Sequence, residues 1–181
     1  MAVLFYPNKV ENFDDIVSFL KERGVHYEKW VLDEQISSDA TDSDILKMYE
    51  PYITPFCEKN GYKTFDIINV TTKTPNIEQL KQKFLREHTH TENEVRFFVY
   101  GEGLFWFNHN NEVFSILCQQ GDFISVPRMA THWFDMGPNP NVKAIRIFTD
   151  PAGWVANYTD SKIDEKYNNL FPWSEDILSE E

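Results

Sequence analysis

The sequence predicts a mainly β domain, an antiparallel sandwich or barrel with a few N-terminal helices packed alongside. From Glu94 onward, short apolar segments of five to eight residues alternate with turn signals, at a spacing typical of antiparallel sheets. Residues 1–85 instead mix helical and extended patterns. Hydrophobic residues make up 41% of the 181 and aromatic residues 15%, which is ample apolar material for a packed core.

Helix signals are confined to the N-terminal part. Asn12 is expected to cap a first helix that ends at Gly24. A second helix is expected to begin after Thr41, and Pro51 and Pro55 predict a break or kink within it. The pair Thr74-Pro75 is expected to open a third helix, whose apolar face is formed by Ile77, Leu80 and Phe84.

Strand signals occur in both parts of the chain. The predicted strands are Ala2–Tyr6, Val25–Leu32, Phe65–Val70, Glu94–Tyr100, Leu104–Asn108, Glu112–Cys118, Asp122–Val126, Thr131–Met136 and Val142–Thr149. The run 101–103, with two glycines, is expected to separate the fourth strand from the fifth.

No internal repeat or Gly/Ser-rich linker divides the chain, so we expect one domain over residues 1–181. Within it, residues 1–85 form the mixed α/β part, residues 86–156 the barrel core and residues 157–181 an acidic C-terminal tail. The tail is expected to wrap the surface or to fray.

The charge balance excludes several classes of partner. With 29 acidic against 17 basic residues, the formal net charge is −12, which repels nucleic acid and anionic lipid. No apolar run approaches the ~20 residues that cross a bilayer. The N-terminus lacks the features of a secretory signal, and Cys57 and Cys118 have no metal-type spacing. We therefore expect a cytoplasmic protein with two free thiols.

Three of the five histidines fall into one pattern with a glutamate. His88 and His90 are two residues apart, so in an extended chain both side chains point to one face and can hold one ion. Glu94 keeps this parity after a short turn, and His132 follows on a separate predicted strand. Three imidazoles and a carboxylate suit iron, nickel, manganese or cobalt. A His-x-His pair alone is more often two hydrogen-bonded or exposed residues, and the two further ligands favour metal binding.

The spacing of these residues resembles the two motifs of the cupin superfamily. The first motif is matched by His88, His90, Glu94 and Gly101. The second runs from Gly121 through Pro127 to His132, although Met129 and Met136 stand where cupins commonly carry glycine and asparagine. The fold implied by this resemblance is the cupin fold, a double-stranded β-helix or jelly-roll barrel.

The surrounding sequence resembles one family within the superfamily, the bacterial acireductone dioxygenases, over nearly the whole chain. The matching stretches are Lys83–His90, Glu94–Val99, Ile124–Pro127, His132–Gly137, Ala144–Phe148 and Gly153-Trp154, with Gly24-Val25 and Gly61-Tyr62 in the N-terminal half.

This resemblance implies an enzyme of methionine salvage. Its substrate is the acireductone 1,2-dihydroxy-3-keto-5-methylthiopentene, which binds the metal as a dianion and reacts with O2. The iron form gives formate and 4-methylthio-2-oxobutanoate, and the nickel form gives formate, carbon monoxide and 3-methylthiopropionate. The resemblance also implies a monomer that holds one Fe²⁺ or Ni²⁺ through His88, His90, Glu94 and His132. The sequence does not distinguish the two metals, since both accept this ligand set.

Further roles follow from the same resemblance. Arg96 matches a residue associated with forming the substrate dianion. Because arginine stays protonated it cannot be the base, but its charge can lower the substrate pKa and hold the dianion. Arg96 shares parity with Glu94 and should face the metal. The pocket around the thioether tail is matched by Phe84, Phe134 and Trp154, for each of which ordinary core packing is the alternative. Glu87 matches a residue proposed for metal incorporation. Asn93 is a candidate for a conformational relay, at a position where relatives often carry aspartate.

Two other functions fit a cupin fold. A sugar-phosphate isomerase would need several cations to hold the phosphate, but Arg96 is the main cation of the ligand strands, which are otherwise aromatic. A non-catalytic binding or sensor cupin would not need a complete ligand set. A DNA-binding regulator would add a basic helix-turn-helix segment, and none is visible in the sequence.

Overall fold

A computed structural model describes residues 2–31, 36, 40–150 and 154–168. The helices in these ranges are α1 (Phe13–Glu22), α2 (Asp42–Asn60) and α3 (Ile77–Leu85), and a 3-10 turn covers Asp164–Lys166. The strands are β1 (Val3–Tyr6), β2 (His26–Lys29), β3 (Thr64–Thr71), β4 (His88–Thr89), β5 (Glu94–His109), β6 (Glu112–Gln119), β7 (Asp122–Val126), β8 (His132–Asp135), β9 (Asn141–Phe148) and β10 (Asn157–Tyr158). The predicted strand end at Leu32, Gly153 and residues 169–181 of the predicted tail lie outside the described residues.

Two antiparallel sheets share the long strand β5. In the first sheet the order is β1-β6-β5-β8-β4-β10, and in the second it is β2-β7-β5-β9-β3. The N-terminal half of β5 pairs with β7 and β9, whereas its C-terminal half pairs with β6 and β8. The two sheets are therefore joined along one continuous backbone.

The predicted separation of β5 into two strands at residues 101–103 is wrong. The register of β5 against β9 shifts between Phe98 and Tyr100, and Gly101 follows with a φ of +71°. A Cβ at Gly101 would overlap the carbonyl oxygen of Asn141 on β9. The irregularity and the glycine therefore allow the strand to pass from one sheet to the other without ending.

Helix α1 begins as predicted, because the Asn12 side chain accepts a hydrogen bond from the Asp15 amide, 3.1 Å away. Helix α2 also begins as predicted, with a capping box between Thr41 and Asp44. Of the predicted break or kink in α2, the break does not occur, because the helix runs unbroken through Pro51 and Pro55.

Both prolines of α2 are exposed, so the carbonyls that lose their helical partners can bind water. On the opposite side Ile45, Tyr49 and Ile53 pack against the second sheet and hold the helix together. Helix α3 begins at Ile77, after the predicted Thr74-Pro75. The Thr74 hydroxyl instead accepts the Thr71 amide hydrogen bond at 2.9 Å and closes a turn before the helix.

Alternation along β5 separates the apolar side chains into layers. Phe98, Phe105 and Phe107 belong to the interior cluster, which Ile77, Leu80 and Phe84 of α3 also contact. Val95 and Phe97 instead pack with Trp30 and α2. The alternation leaves the even-numbered residues at the start of β5 on the interior side.

The two cysteines are free thiols, as predicted, with Cys118 buried and Cys57 partly exposed. Among the described residues, no helix has both the length and the apolar character of a membrane span.

Candidate metal centre

The four predicted ligands meet where three strands converge. His88 lies in β4, His90 follows that strand, Glu94 opens β5 and His132 opens β8. His88 and His132 are direct partners in the β4–β8 pairing. The exposed fraction is 6% or less for each of the four residues, and one potential ligand atom from each lies within 4.8 Å of the others. Three histidines and one glutamate thus form a metal-binding group.

The hydrogen bonds of the imidazoles determine their tautomers. Nδ1 of His88 lies 2.7 Å from the carbonyl oxygen of Arg86, and Nδ1 of His132 lies 2.9 Å from that of Ala130. Nδ1 of His90 lies 3.2 Å from the carbonyl oxygen of a third residue, Val155. Because a carbonyl oxygen can only accept, each Nδ1 must carry the proton. In the neutral ring Nε2 then has a free lone pair, which is the form that binds metal.

The position of Glu94 fits a cation. Its Oε2 lies 3.0 Å from Nε2 of both His90 and His132. With Nδ1 protonated, neutral rings direct lone pairs at this carboxylate oxygen, a repulsive arrangement that a divalent ion between them converts into coordination. The residues present therefore fit a bound transition metal.

The electrostatics keep the ligands in the protonation states that metal binding needs. Burial lowers the pKa of His88 to about 4, so this ring is neutral at pH 7. Burial alone would raise the pKa of Glu94, but the charge of Arg96 holds it well below its usual range. Glu94 is therefore ionised.

Arg96 is buried beside the ligands, on the side predicted from its parity with Glu94. Its exposed fraction is 3%, and its Nε lies 2.7 Å from Oε1 of Glu94. The guanidinium carbon lies 4.7–5.8 Å from the centres of four aromatic rings, those of Phe84, Phe105, Phe134 and Trp154. The three predicted pocket aromatics thus surround the cation that was predicted to hold the substrate.

The aromatic rings are held by close packing. Phe84 meets Phe134 edge-on with ring centres 6.2 Å apart, and Trp154 lies over His90 at 6.2 Å. A Cβ at Gly103, in β5, would overlap the Phe134 ring. Glycine at this position therefore makes room for the Phe134 ring.

Glu87 and Asn93 lie next to the ligands in sequence, but their side chains have other partners. The Glu87 carboxylate accepts hydrogen bonds from Asn108, Thr159 and Ser161. The Asn93 amide donates to the Tyr62 hydroxyl at 3.0 Å, and its oxygen accepts the Arg128 amide hydrogen bond at 2.8 Å. Asn93 also lines a groove of about 540 Å³ between α2, β2 and β7, which the four ligands do not line.

One cation near the metal-binding group was not predicted from the sequence. Arg146 is the β9 partner of Arg96 and lies 5.6 Å from the centre of the Trp154 ring. Its guanidinium is held by the Asp66 carboxylate at 2.6 and 2.8 Å. Arg146 falls inside the matching stretch 144–148, and its pairing with Arg96 in the structure reveals it as a second cation near Trp154.

The chain is similar to known proteins over most of its length. The model of the ARD/ARD' family matches residues 5–156. An acireductone dioxygenase of Picosynechococcus sp. is 45% identical over 174 residues, covering 94% of this chain and 99% of that protein. One from Aquifex aeolicus is 43% identical over 165 residues, covering 91% of this chain and 88% of that protein.

A solved structure is also similar. The acireductone dioxygenase of Bacillus anthracis, with a cadmium ion in its active centre, superposes with a TM-score of 0.77 at 35% identity. The match covers 87% of this chain and 96% of that one. The fold is therefore the predicted cupin barrel with helices alongside, and the chain belongs to the ARD/ARD' family.

Proposed function

We propose that this chain is an acireductone dioxygenase of methionine salvage, a metal-dependent enzyme that adds both atoms of O2 to its substrate. One observation carries the proposal: a buried arginine lies beside the three-histidine, one-glutamate group and is surrounded by an aromatic wall, the rings of Phe84, Phe134 and Trp154. An acireductone has matching parts, since its enediol oxygens suit a metal and a cation, and its methylthio tail suits aromatic rings. Membership of the family, whose members compared above are acireductone dioxygenases, adds to this support.

We assign His88, His90, Glu94 and His132 as the ligands of one Fe²⁺ or Ni²⁺ per chain. When bound, the ion would supply Lewis acidity toward the substrate oxygens and a redox partner for oxygen chemistry. The three imidazoles contribute no charge, and the Glu94 carboxylate offsets one of the two positive charges. The chain therefore leaves a net positive centre that favours a dianionic substrate.

Arg96 would hold an ionised oxygen of the substrate. Its guanidinium is buried, so its charge acts through a medium of low dielectric constant and is stronger than in water. Its Nε already lies beside Oε1 of Glu94, so the guanidinium needs no rearrangement when substrate arrives. Phe84, Phe134 and Trp154 would contact the methylthio tail and exclude water from the reacting centre.

The choice of products is proposed to follow the metal. With iron the products would be formate and 4-methylthio-2-oxobutanoate, and with nickel formate, carbon monoxide and 3-methylthiopropionate. The ligand set accepts either ion. Differences in Lewis acidity, redox access and preferred geometry would change which substrate oxygens the ion holds, within a cavity that these aromatic rings shape.

Oxygen uptake with synthetic acireductone tests the proposed activity. Protein loaded with Fe²⁺ or Ni²⁺ should consume about one O2 per substrate above the rate without enzyme, and the His132→Ala variant should not. An isomerase would convert a sugar phosphate without consuming oxygen, and a binding cupin would consume neither oxygen nor substrate. Failure of both metal forms to consume oxygen would overturn the assignment.

We further propose that residues 1–181 form one domain and act as a cytoplasmic monomer. The pairing of β10, in the predicted tail, with β4 in the core supports a single unit. The net charge of −12 supports a small-molecule substrate, with no nucleic-acid or membrane partner. Light scattering coupled to gel filtration should give a mass near 21.4 kDa, and a mass twice as large would contradict the monomer.

A further inference from the structure

The three ligand histidines are not oriented in the same way. His88 and His132 each donate from Nδ1 to a carbonyl oxygen two residues earlier in the chain, in Arg86 and Ala130. Both hydrogen bonds are local, so they need only the conformation of the strand that carries the histidine. His90 instead donates to Val155, 65 residues away, at the longer distance of 3.2 Å. Of the three ligand rings, that of His90 is therefore the one whose Nδ1 acceptor lies in a distant segment.

That segment, residues 154–161, crosses the ligand strand and is called the C-terminal strap below. Its β10 portion pairs with His88 and Thr89 of β4. The Trp154 ring lies over His90 at an interplanar angle of 26°, and the Tyr158 ring meets His88 edge-on at 6.1 Å. The strap thus contacts both histidines of the His-x-His pair.

A buried carboxylate fastens the far end of the strap. Glu87 has an exposed fraction of 3%, and its Oε1 accepts hydrogen bonds from the Thr159 hydroxyl at 2.5 Å and the Ser161 hydroxyl at 2.6 Å. Its Oε2 accepts from the Asn108 side chain of β5 at 2.9 Å. A second bond from Thr159, through its amide at 3.2 Å, reaches the Glu87 backbone oxygen. Both carboxylate oxygens are satisfied, as a buried carboxylate requires.

The Glu87 carboxylate is directed away from the ligands. Successive side chains of an extended segment point to opposite faces, and Glu87 directly precedes His88. Its hydrogen-bonding partners are Asn108, Thr159 and Ser161, and it is not part of the group of four ligands. The Glu87 side chain therefore connects the strap to β5 and does not contribute a metal ligand.

We infer that Glu87 is a positioning residue for His90. Its hydrogen bonds to Thr159 and Ser161 keep the strap next to β4. The strap in turn keeps the Val155 carbonyl oxygen at Nδ1 of His90, and this bond orients Nε2 of His90 toward the metal. The inference rests on the proposed metal site. Hydrogen-bonding partners of ligand histidines typically affect metal affinity by 10–100-fold. Loss of the hydrogen bonds from Thr159 and Ser161 to Glu87 should therefore weaken the binding of the metal by His90 but leave the other three ligands in place.

The rate of metal release tests this inference without using activity. Nickel-loaded protein is mixed with excess chelator, and loss of nickel is followed. The double variant Thr159→Val with Ser161→Ala removes two donors to Glu87, and it should release nickel roughly 10–100 times faster than the parent. Thr159→Ser keeps the hydroxyl and should release at the parental rate. Asp160→Ala removes an exposed contact between the strap and Arg86, and this variant should also release nickel at the parental rate.

A second readout separates a positioning role from general loosening. In zinc-loaded protein with ¹⁵N-labelled histidine, the double variant should shift or broaden the His90 ring signals most, change those of His88 less because the strap touches that ring only through Tyr158, and leave those of His132 in place. Equal changes in all three rings, or parental nickel release from a folded double variant, would overturn the inference. If the double variant does not fold, Ser161→Ala alone is measured, and it should show a smaller acceleration. A parental rate for Ser161→Ala would again overturn it. A parent protein that binds no nickel or zinc would instead refute the metal site itself.

Discussion

The guanidinium of Arg96 lies 2.7 Å from the carboxylate of Glu94, Nε to Oε1, and both side chains are almost completely buried. The other carboxylate oxygen faces the imidazoles of His90 and His132. One glutamate therefore joins the proposed metal to the cation proposed to hold the substrate. Substitution of Arg96 should separate these two roles.

Arg96→Ala should keep metal content close to that of the parent, because all four ligands remain. Turnover with acireductone should fall on the order of 10²–10³-fold, as when one preorganised oxyanion donor is removed. Metal analysis and oxygen uptake on the same preparation measure both effects. Arg23→Ala, which removes an arginine bonded to Glu112 on β6, is the control and should retain turnover. Parental turnover in Arg96→Ala would remove this residue from the mechanism.

His132→Ala should lose most of its bound metal, because one of four ligand bonds is removed and Glu94 loses a partner. His90→Ala should behave in the same way. The matched control is His26→Ala, since His26 is exposed and contacts Glu28. Elemental analysis after purification should find about one metal per chain in the parent and in His26→Ala. Full occupancy in both ligand variants would refute the site.

Apoprotein reloaded with nickel should release carbon monoxide from acireductone, and the iron form should not. The physical reason is that one cavity presents the same dianion to two ions of different Lewis acidity and preferred geometry. Headspace carbon monoxide and the two acid products are measured for both preparations. Identical products from both forms would refute metal control of the reaction but leave the dioxygenase activity standing.

Asp135→Asn should stabilise the protein at neutral pH. Burial, only partly opposed by the Gly137 amide and the charge of Lys81, raises the pKa of Asp135 to about 6. The folded state then binds this proton more tightly than the unfolded state. The free energy of unfolding therefore decreases as pH rises from about 4 to about 6, and the penalty is complete above pH 6. Asparagine keeps an acceptor for the Gly137 amide, 2.7 Å from Oδ1, without the buried charge.

The expected gain for Asp135→Asn at pH 7 is about 2–3 kcal/mol, from a pKa shift of roughly two units. It should disappear below about pH 3, where the aspartate is protonated in both states. Urea unfolding of the variant and the parent at several pH values gives this difference, in which the titration of the ligand histidines cancels. A difference that does not change with pH would contradict the assignment.

Gly103→Ala should disturb the wall of the cavity. The added Cβ overlaps the Phe134 ring, so the ring must move, and overpacking of this kind typically costs about 1–3 kcal/mol in the free energy of unfolding. KM for acireductone should rise, because Phe134 lies against Arg96. In the control Gly61→Ala the new Cβ meets nothing within 4 Å, and only the backbone cost of a left-handed φ, about 1 kcal/mol, is expected. An unchanged KM in Gly103→Ala would contradict the proposed role of this wall.

Periodicity and spacing predicted most of the barrel and brought the four ligands together. The two-residue strands β4 and β10 were missed, since so short a segment shows no period. The continuity of β5 and of α2 depends on tertiary contacts that override the local effect of Gly101 or Pro51. The bond from His90 to Val155 uses a backbone carbonyl, which every residue type offers, so no residue in the sequence marks it.

The sharing of β5 between the two sheets has a consequence for how the protein is made. Glu94 opens β5, and its paired strands β7 and β9 lie well downstream in sequence, as does His132. A nascent or unfolded chain offers a metal ion only the neighbouring His88, His90 and Glu94, and the complete group forms when the closing sheets bring in His132. Binding is therefore coupled to folding of the whole barrel, and an ion at 1,000 times its dissociation constant would add about 4 kcal/mol to global stability. The cellular supply of metal would thus set how long each newly made chain survives as a folded molecule.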